Sequence, residues 1–172
     1  MRGLFADDAF VVLGVCGTLD NDGALNPPTT YHFPPETKTM TKVKQITAWV
    51  ESKPGELGRI TAALGKAKVN ILAVTCWSAG SESPVHLQVS SSAKARKVLQ
   101  KLGVRVTEEE VLRVTLPDKP GVLGEVGVLL GAGNINIEYA YASVPTGGKK
   151  ADLILSVSDV AGASKALRGR KG

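Results

Sequence analysis

The segment Lys53-Pro54-Gly55-Glu56-Leu57-Gly58 returns as Lys119-Pro120-Gly121-Val122-Leu123-Gly124, an offset of 66 residues. At that offset Val69-Asn70-Ile71 matches Ile135-Asn136-Ile137, Leu64-Gly65 matches Leu130-Gly131, and Ile46, Ala48 and Val50 match Leu112, Val114 and Leu116. Turn residues and apolar positions that recur together at one spacing mark a duplicated structural unit. The chain is therefore restricted to two copies of one small architecture.

In the first copy Ile46, Ala48 and Val50 alternate with Gln45, Thr47 and Trp49, the period of a half-buried strand. Pro54-Gly55 breaks that strand, and Leu57, Ile60, Thr61 and Leu64 follow at helical spacing. Asn70 to Ser78 is β-prone, Ser81 to Pro84 is a turn, and Val85, Leu87 and Val89 alternate as a third strand. A second helix from Ala93 to Leu102 stops at Gly103, and Val104 to Val106 forms a short fourth strand. The order β-α-β-β-α-β gives a four-stranded antiparallel sheet with two helices on one face, an α+β, ferredoxin-like architecture.

The second copy repeats this with strands at Glu110 to Leu116, Asn136 to Val144 and Lys150 to Val157, and helices at Gly121 to Leu130 and Val160 to Leu167. It stops at Arg170-Lys171-Gly172, where a fourth strand is due. The last strand of this copy is missing, which leaves Glu110 to Leu116 as a sheet edge. The expected domains are residues 43–108 and a C-terminally truncated 109–172. Residues 1–39 fit neither copy, carry two Pro-Pro pairs, and read as a disordered leader in which Ala9 to Val15 is the one strand candidate.

A βαββαβ unit with Lys-Pro-Gly-x-Leu opening its first helix and Asn-Ile opening its second strand resembles the ACT domain. The resemblance covers residues 43 to about 168, and the tandem arrangement is similar to stand-alone ACT pairs that bind amino acids. It implies a non-catalytic regulator whose ligand lies between paired ACT domains, acting allosterically as a homodimer or on a regulated enzyme. Pairing of the two sheets edge to edge, Asn70 to Ser78 against Asn136 to Val144, is the expected arrangement.

The residues themselves suggest how a ligand would be held. Gly55 and Gly121 lack a Cβ where the first helical N–H groups have no intrahelical partner, so a carboxylate can meet the positive end of the helix dipole. An ammonium needs an acceptor, which Asp118, Asn70 and Asn136 supply. The edge pairing brings Asp118, Gly121, Val122 and Leu123 to Asn70, and Ser52, Gly55, Glu56 and Leu57 to Asn136. The second set has Ser52 where the first has Asp118, and is expected to be weaker or empty. Helix capping accounts for Ser52 and Asp118 equally well, with Pro54 and Pro120 in the first turn. His86 alternates onto the outward sheet face as a solvated or interface imidazole.

Composition narrows the remaining classes. Aromatic residues are 5% of the chain, too few for base-stacking platforms, although the net charge is +5. Residues 1–39 carry two basic and five acidic side chains, so the basic excess belongs to the repeats. Cys16 and Cys76 show no metal or disulfide spacing and read as thiols of a reducing, cytoplasmic compartment. No stretch approaches the roughly 20 apolar residues of a membrane span. Neither catalytic nor metal-ligating groups nor a cofactor is expected, since no nucleophile-base constellation occurs at recognisable spacing. The competing readings are a structural accessory subunit with a decayed ligand site and an RNA-binding βαββαβ module.

Overall fold

The computed structural model describes residues 39–144 and 148–168. The leader, including Ala9 to Val15, and the basic tail at Arg170 and Lys171 lie outside them. The elements are β1 (Thr39–Glu51), α1 (Glu56–Lys66), β2 (Ile71–Cys76), β3 (Glu82–Val89), α2 (Ser92–Lys101), β4 (Arg105–Pro117), α3 (Val122–Ala132), β5 (Ile137–Ser143), β6 (Lys150–Val157) and α4 (Val160–Leu167). They divide into two units, Val43–Glu110 and a second that joins residues 39–42 with the described residues from Val111 onward.

In the Val43–Glu110 unit the antiparallel sheet runs β2-β3-β1-β4. Ile46, Ala48 and Val50 of β1, Val85, Leu87 and Val89 of β3, Ile60 and Leu64 of α1, and Ala95 and Leu99 of α2 make its core. The even-numbered residues of β1 face the helices because successive side chains of a strand alternate in direction. Leu57, placed on the buried helix face by its spacing, is instead 42% exposed. It sits one turn before Ile60, where α1 has only just begun.

The second unit has strands β4-β6-β5 and a core of Leu112, Val114, Leu116, Val126, Leu130, Leu153, Leu155 and Leu167. No strand follows α4 among the described residues, yet β4 is not an edge, because β1 lies on its other side. Residues Thr39 to Lys42 of β1 belong to this unit, and Met40 packs against its core. The start of the first repeat's strand thus lies where a fourth strand of the second repeat is expected. β4 is likewise longer than expected: Arg105 to Pro117 contains no Gly and only a terminal Pro, so nothing breaks it between the repeats.

The expected pairing of the two second strands is also corrected. β2 pairs with β3 and β5 with β6, and the pairing of Asn70 to Ser78 with Asn136 to Val144 is not among the strand pairings of the described residues. Each of these strands is an edge of its own unit's sheet.

Candidate functional site

The two helix-opening loops are built alike. Gly55 and Gly121 occupy the N-cap positions of α1 and α3 in left-handed conformations, φ 92° and 90°. A side chain would strain the backbone there, so glycine is required by conformation. Neither helix has a side-chain cap, which removes the capping role considered for Ser52 and Asp118, and Pro54 and Pro120 precede the helices instead of lying in their first turns. Ser52 and Asp118 are clamped by their backbones: Ser52 N–H donates to Ser81 O and Asp118 N–H to Lys149 O, both at 2.9 Å. The Asp118 carboxylate stands exposed to solvent.

Asn70 and Asn136 are also equivalent. Each donates its N–H to a serine hydroxyl, Ser90 Oγ at 3.0 Å and Ser158 Oγ at 3.1 Å, and accepts that serine's N–H on its carbonyl. The backbone is used up in tying β2 to β3 and β5 to β6. Both side chains remain exposed.

A cavity of about 400 Å³ lies in the Val43–Glu110 unit, between the α1-opening loop and the end of β2. Ser52, Glu56 and Leu57 line it, joined by Lys53, Trp77 and Ser78 that sequence reasoning passed over. Trp77 was the available signal, as one of two tryptophans in a chain poor in aromatics. Of the two half-sites, the one with Ser52 holds the cavity. Gly55 and Asn136, expected in the same set, do not line it, nor do Asp118, Gly121, Val122, Leu123 and Asn70.

The charged groups of the lining, Glu51, Lys53 and Glu56, are all in ion pairs, the last with Arg59 outside the lining. Lys53 Nζ contacts Glu51 at 2.5 Å, and Arg59 grips Glu56 through two nitrogens, the shortest bond being 2.7 Å. The Arg59 hydrogen bond holds the Glu56 carboxyl below its ordinary value, and the Glu51 hydrogen bond raises Lys53. Lys53, Glu56 and Arg59 are each pushed further into their charged forms by these partners.

Beside the cavity His86 is buried, 6% exposed, which corrects the expectation of a solvated imidazole. Gln45 Nε2 donates to its Nδ1 at 3.0 Å, Thr47 Oγ1 lies 2.9 Å from the same atom, and its ring stacks on Trp77. Burial lowers the His86 pKa, with Glu109, 3.6 Å away, opposing the shift. Burial thus favours the neutral imidazole. Among the described residues no cluster suits a metal ion, and no helix is long and apolar enough to cross a membrane.

Two repeats, each with a left-handed glycine opening its first helix and an asparagine clasped before its second strand, define a tandem module of the ferredoxin-like type. The chain belongs to the ACT domain pair family, which it matches over residues 40–166. Membership supports a regulatory, ligand-binding role. The chain is similar to the crystal structure of a Bacteroides thetaiotaomicron protein, with 26% identity and TM-score 0.69, covering 75% of this chain and 88% of that one. The fold is shared with the ligand-free regulatory subunit of aspartate kinase from Thermus thermophilus, at 14% identity and TM-score 0.58, over 77% of this chain and 96% of that one. It is shared also with Escherichia coli aspartokinase III in complex with aspartate and ADP, at 16% identity and TM-score 0.51, over 74% and 31% of the two chains. No curated protein matches the chain.

Proposed function

We propose that this chain is a non-catalytic cytoplasmic regulator that binds an amino acid at the loops opening α1 and α3, and that occupancy changes the state of a partner enzyme or of a second copy. The observation that carries the reading is the cavity at Ser52, Glu56 and Leu57, beside the glycine-opened start of α1. There the first N–H groups of the helix offer donors for a carboxylate, and Glu51 and Glu56 offer acceptors for an ammonium. The equivalent second site comprises Asp118, Gly121, Val122 and Leu123. Because β2 and β5 are edge strands, Asn70 and Asn136 complete the sites from a second copy of the chain.

A thermal-shift screen of the full chain against the twenty amino acids tests this. A ligand that binds only the folded state raises its stability, by about 2.7 kcal/mol at a hundredfold excess over Kd. Stabilisation by one amino acid or a related group is expected. No stabilisation by any of the twenty overturns the reading in favour of an accessory subunit.

A further inference from the structure

We infer that the cavity of the first repeat selects an amino acid with an aromatic side chain, and that Trp77 is its specificity-determining residue. The inference rests on the amino-acid reading above and names the ligand class of that site. Its first support is charge. Glu51 is paired with Lys53 inside the lining and Glu56 with Arg59 just outside it, so each charge there already has a counter-charge: the site can meet a zwitterion but favours no charged side chain. The remaining lining is largely apolar, with Val50, Pro54, Leu57, Val85 and Trp77.

The second support is exposure. Five large hydrophobic residues are exposed among those described, and two of them, Leu57 at 42% and Trp77 at 45%, flank this one cavity. Apolar surface concentrated around a concavity marks a binding site more often than scattered apolar residues do.

The third is preorganisation. The Trp77 ring is stacked on His86, centroids 5.0 Å apart and planes 26° apart, and His86 is fixed in turn by Gln45 and Thr47. An indole held in one orientation loses little freedom when a second ring packs on it. Among its described residues the other repeat has no such stacked pair at the equivalent positions. Strand register places Ser143 where the first repeat has Trp77, and Ile154 where it has His86. The two repeats share loops suited to the backbone of an amino acid, but among the described residues the position of the Trp77 ring is taken in the second repeat by Ser143.

Calorimetric titration of the full chain with L-phenylalanine, L-leucine, L-aspartate and L-lysine tests the assignment. In parallel, Trp77 emission is followed in a Trp49→Phe background, where Trp77 is the only tryptophan. Aromatic pairing should make phenylalanine bind roughly three- to tenfold more tightly than leucine, with a change in Trp77 emission. Trp77→Ala should equalise the two, and Trp77→Tyr should keep the preference. Tighter binding of aspartate or lysine, or a phenylalanine-to-leucine ratio untouched by Trp77→Ala, overturns the selectivity while leaving amino-acid binding intact. Failure of all twenty amino acids to bind overturns both.

Discussion

The Ser52 and Ser78 hydroxyls meet at 2.8 Å and tie the loop that opens α1 to the residues that follow β2. In the second repeat Asp118 takes the place of Ser52 with the same backbone clamp, but Val144 takes the place of Ser78, so the link is missing and the carboxylate is left to solvent. The two loops are alike in backbone and different in what their side chains offer a ligand.

Asp118→Asn should therefore leave stability unchanged, because the carboxylate caps no helix. A charge-assisted hydrogen bond to an ammonium is lost, so affinity at the second loop should fall about tenfold. Ser52→Ala should affect only binding at the first loop, by a few-fold. Calorimetry on both variants decides between them: an isotherm indifferent to Asp118→Asn assigns no ligand to the second loop.

Gly55→Ala should destabilise the protein by about 1 kcal/mol through backbone strain alone. No atom lies within 4 Å of where the added Cβ would be, so steric overlap contributes nothing. Asn tolerates the left-handed region better, and Gly55→Asn should recover part of the loss. Urea midpoints at unchanged m-value are the readout, and an Ala variant as stable as the parent would contradict the strain.

Met40 packs against the core of the second unit although it lies at the start of the first repeat's strand. Met40→Ala should cost about 1 to 2 kcal/mol, less than the ~2 to 5 of a fully buried methionine, because the side chain is only half-buried. A chain beginning at Val43 should lose more than one beginning at Thr39, since it lacks the strand beside β4. Equal unfolding midpoints for the two chains would show that residues 39–42 contribute nothing.

Burial holds the His86 pKa below the ordinary 6.5, and Glu109 partly restores it. The unfolded chain thus takes up this proton first as pH falls. The stability from neutral His86 is full above about pH 6.5 and is lost as pH drops toward the lower folded-state value. Urea midpoints followed from about pH 7.5 to 5 should decline in the parent. His86→Gln should flatten that decline, and Glu109→Gln should steepen it by removing the charge that favours the imidazolium. A parent and a His86→Gln variant with superimposable pH profiles would exclude this linkage.

Much of the fold was legible in the sequence because it is local and stated twice. Pro-Gly at 54–55 and 120–121 ends a strand and begins a helix each time, and apolar residues at two-residue spacing assign the helix-facing side of β1 and β4 whatever surrounds them. The second repeat's departures were legible too, since Ser52 against Asp118 needs only an alignment of the chain with itself. Pairing between distant strands was not. β1 presents Met40 to one core and Ile46 to the other in the same alternation, so its pattern cannot say that its first four residues complete the second unit. For the same reason β2 and β5, equally fit to pair with each other, gave no sign that each would remain an edge. His86 shows the limit most simply. Alternation assigned it to the sheet face away from the helices, but its burial depends on Gln45 and Thr47 of β1, Glu109 of β4 and Trp77 after β2. Local periodicity reports which way a side chain points, whereas its protonation and its partners are set by groups that only the folded chain brings within a few ångströms.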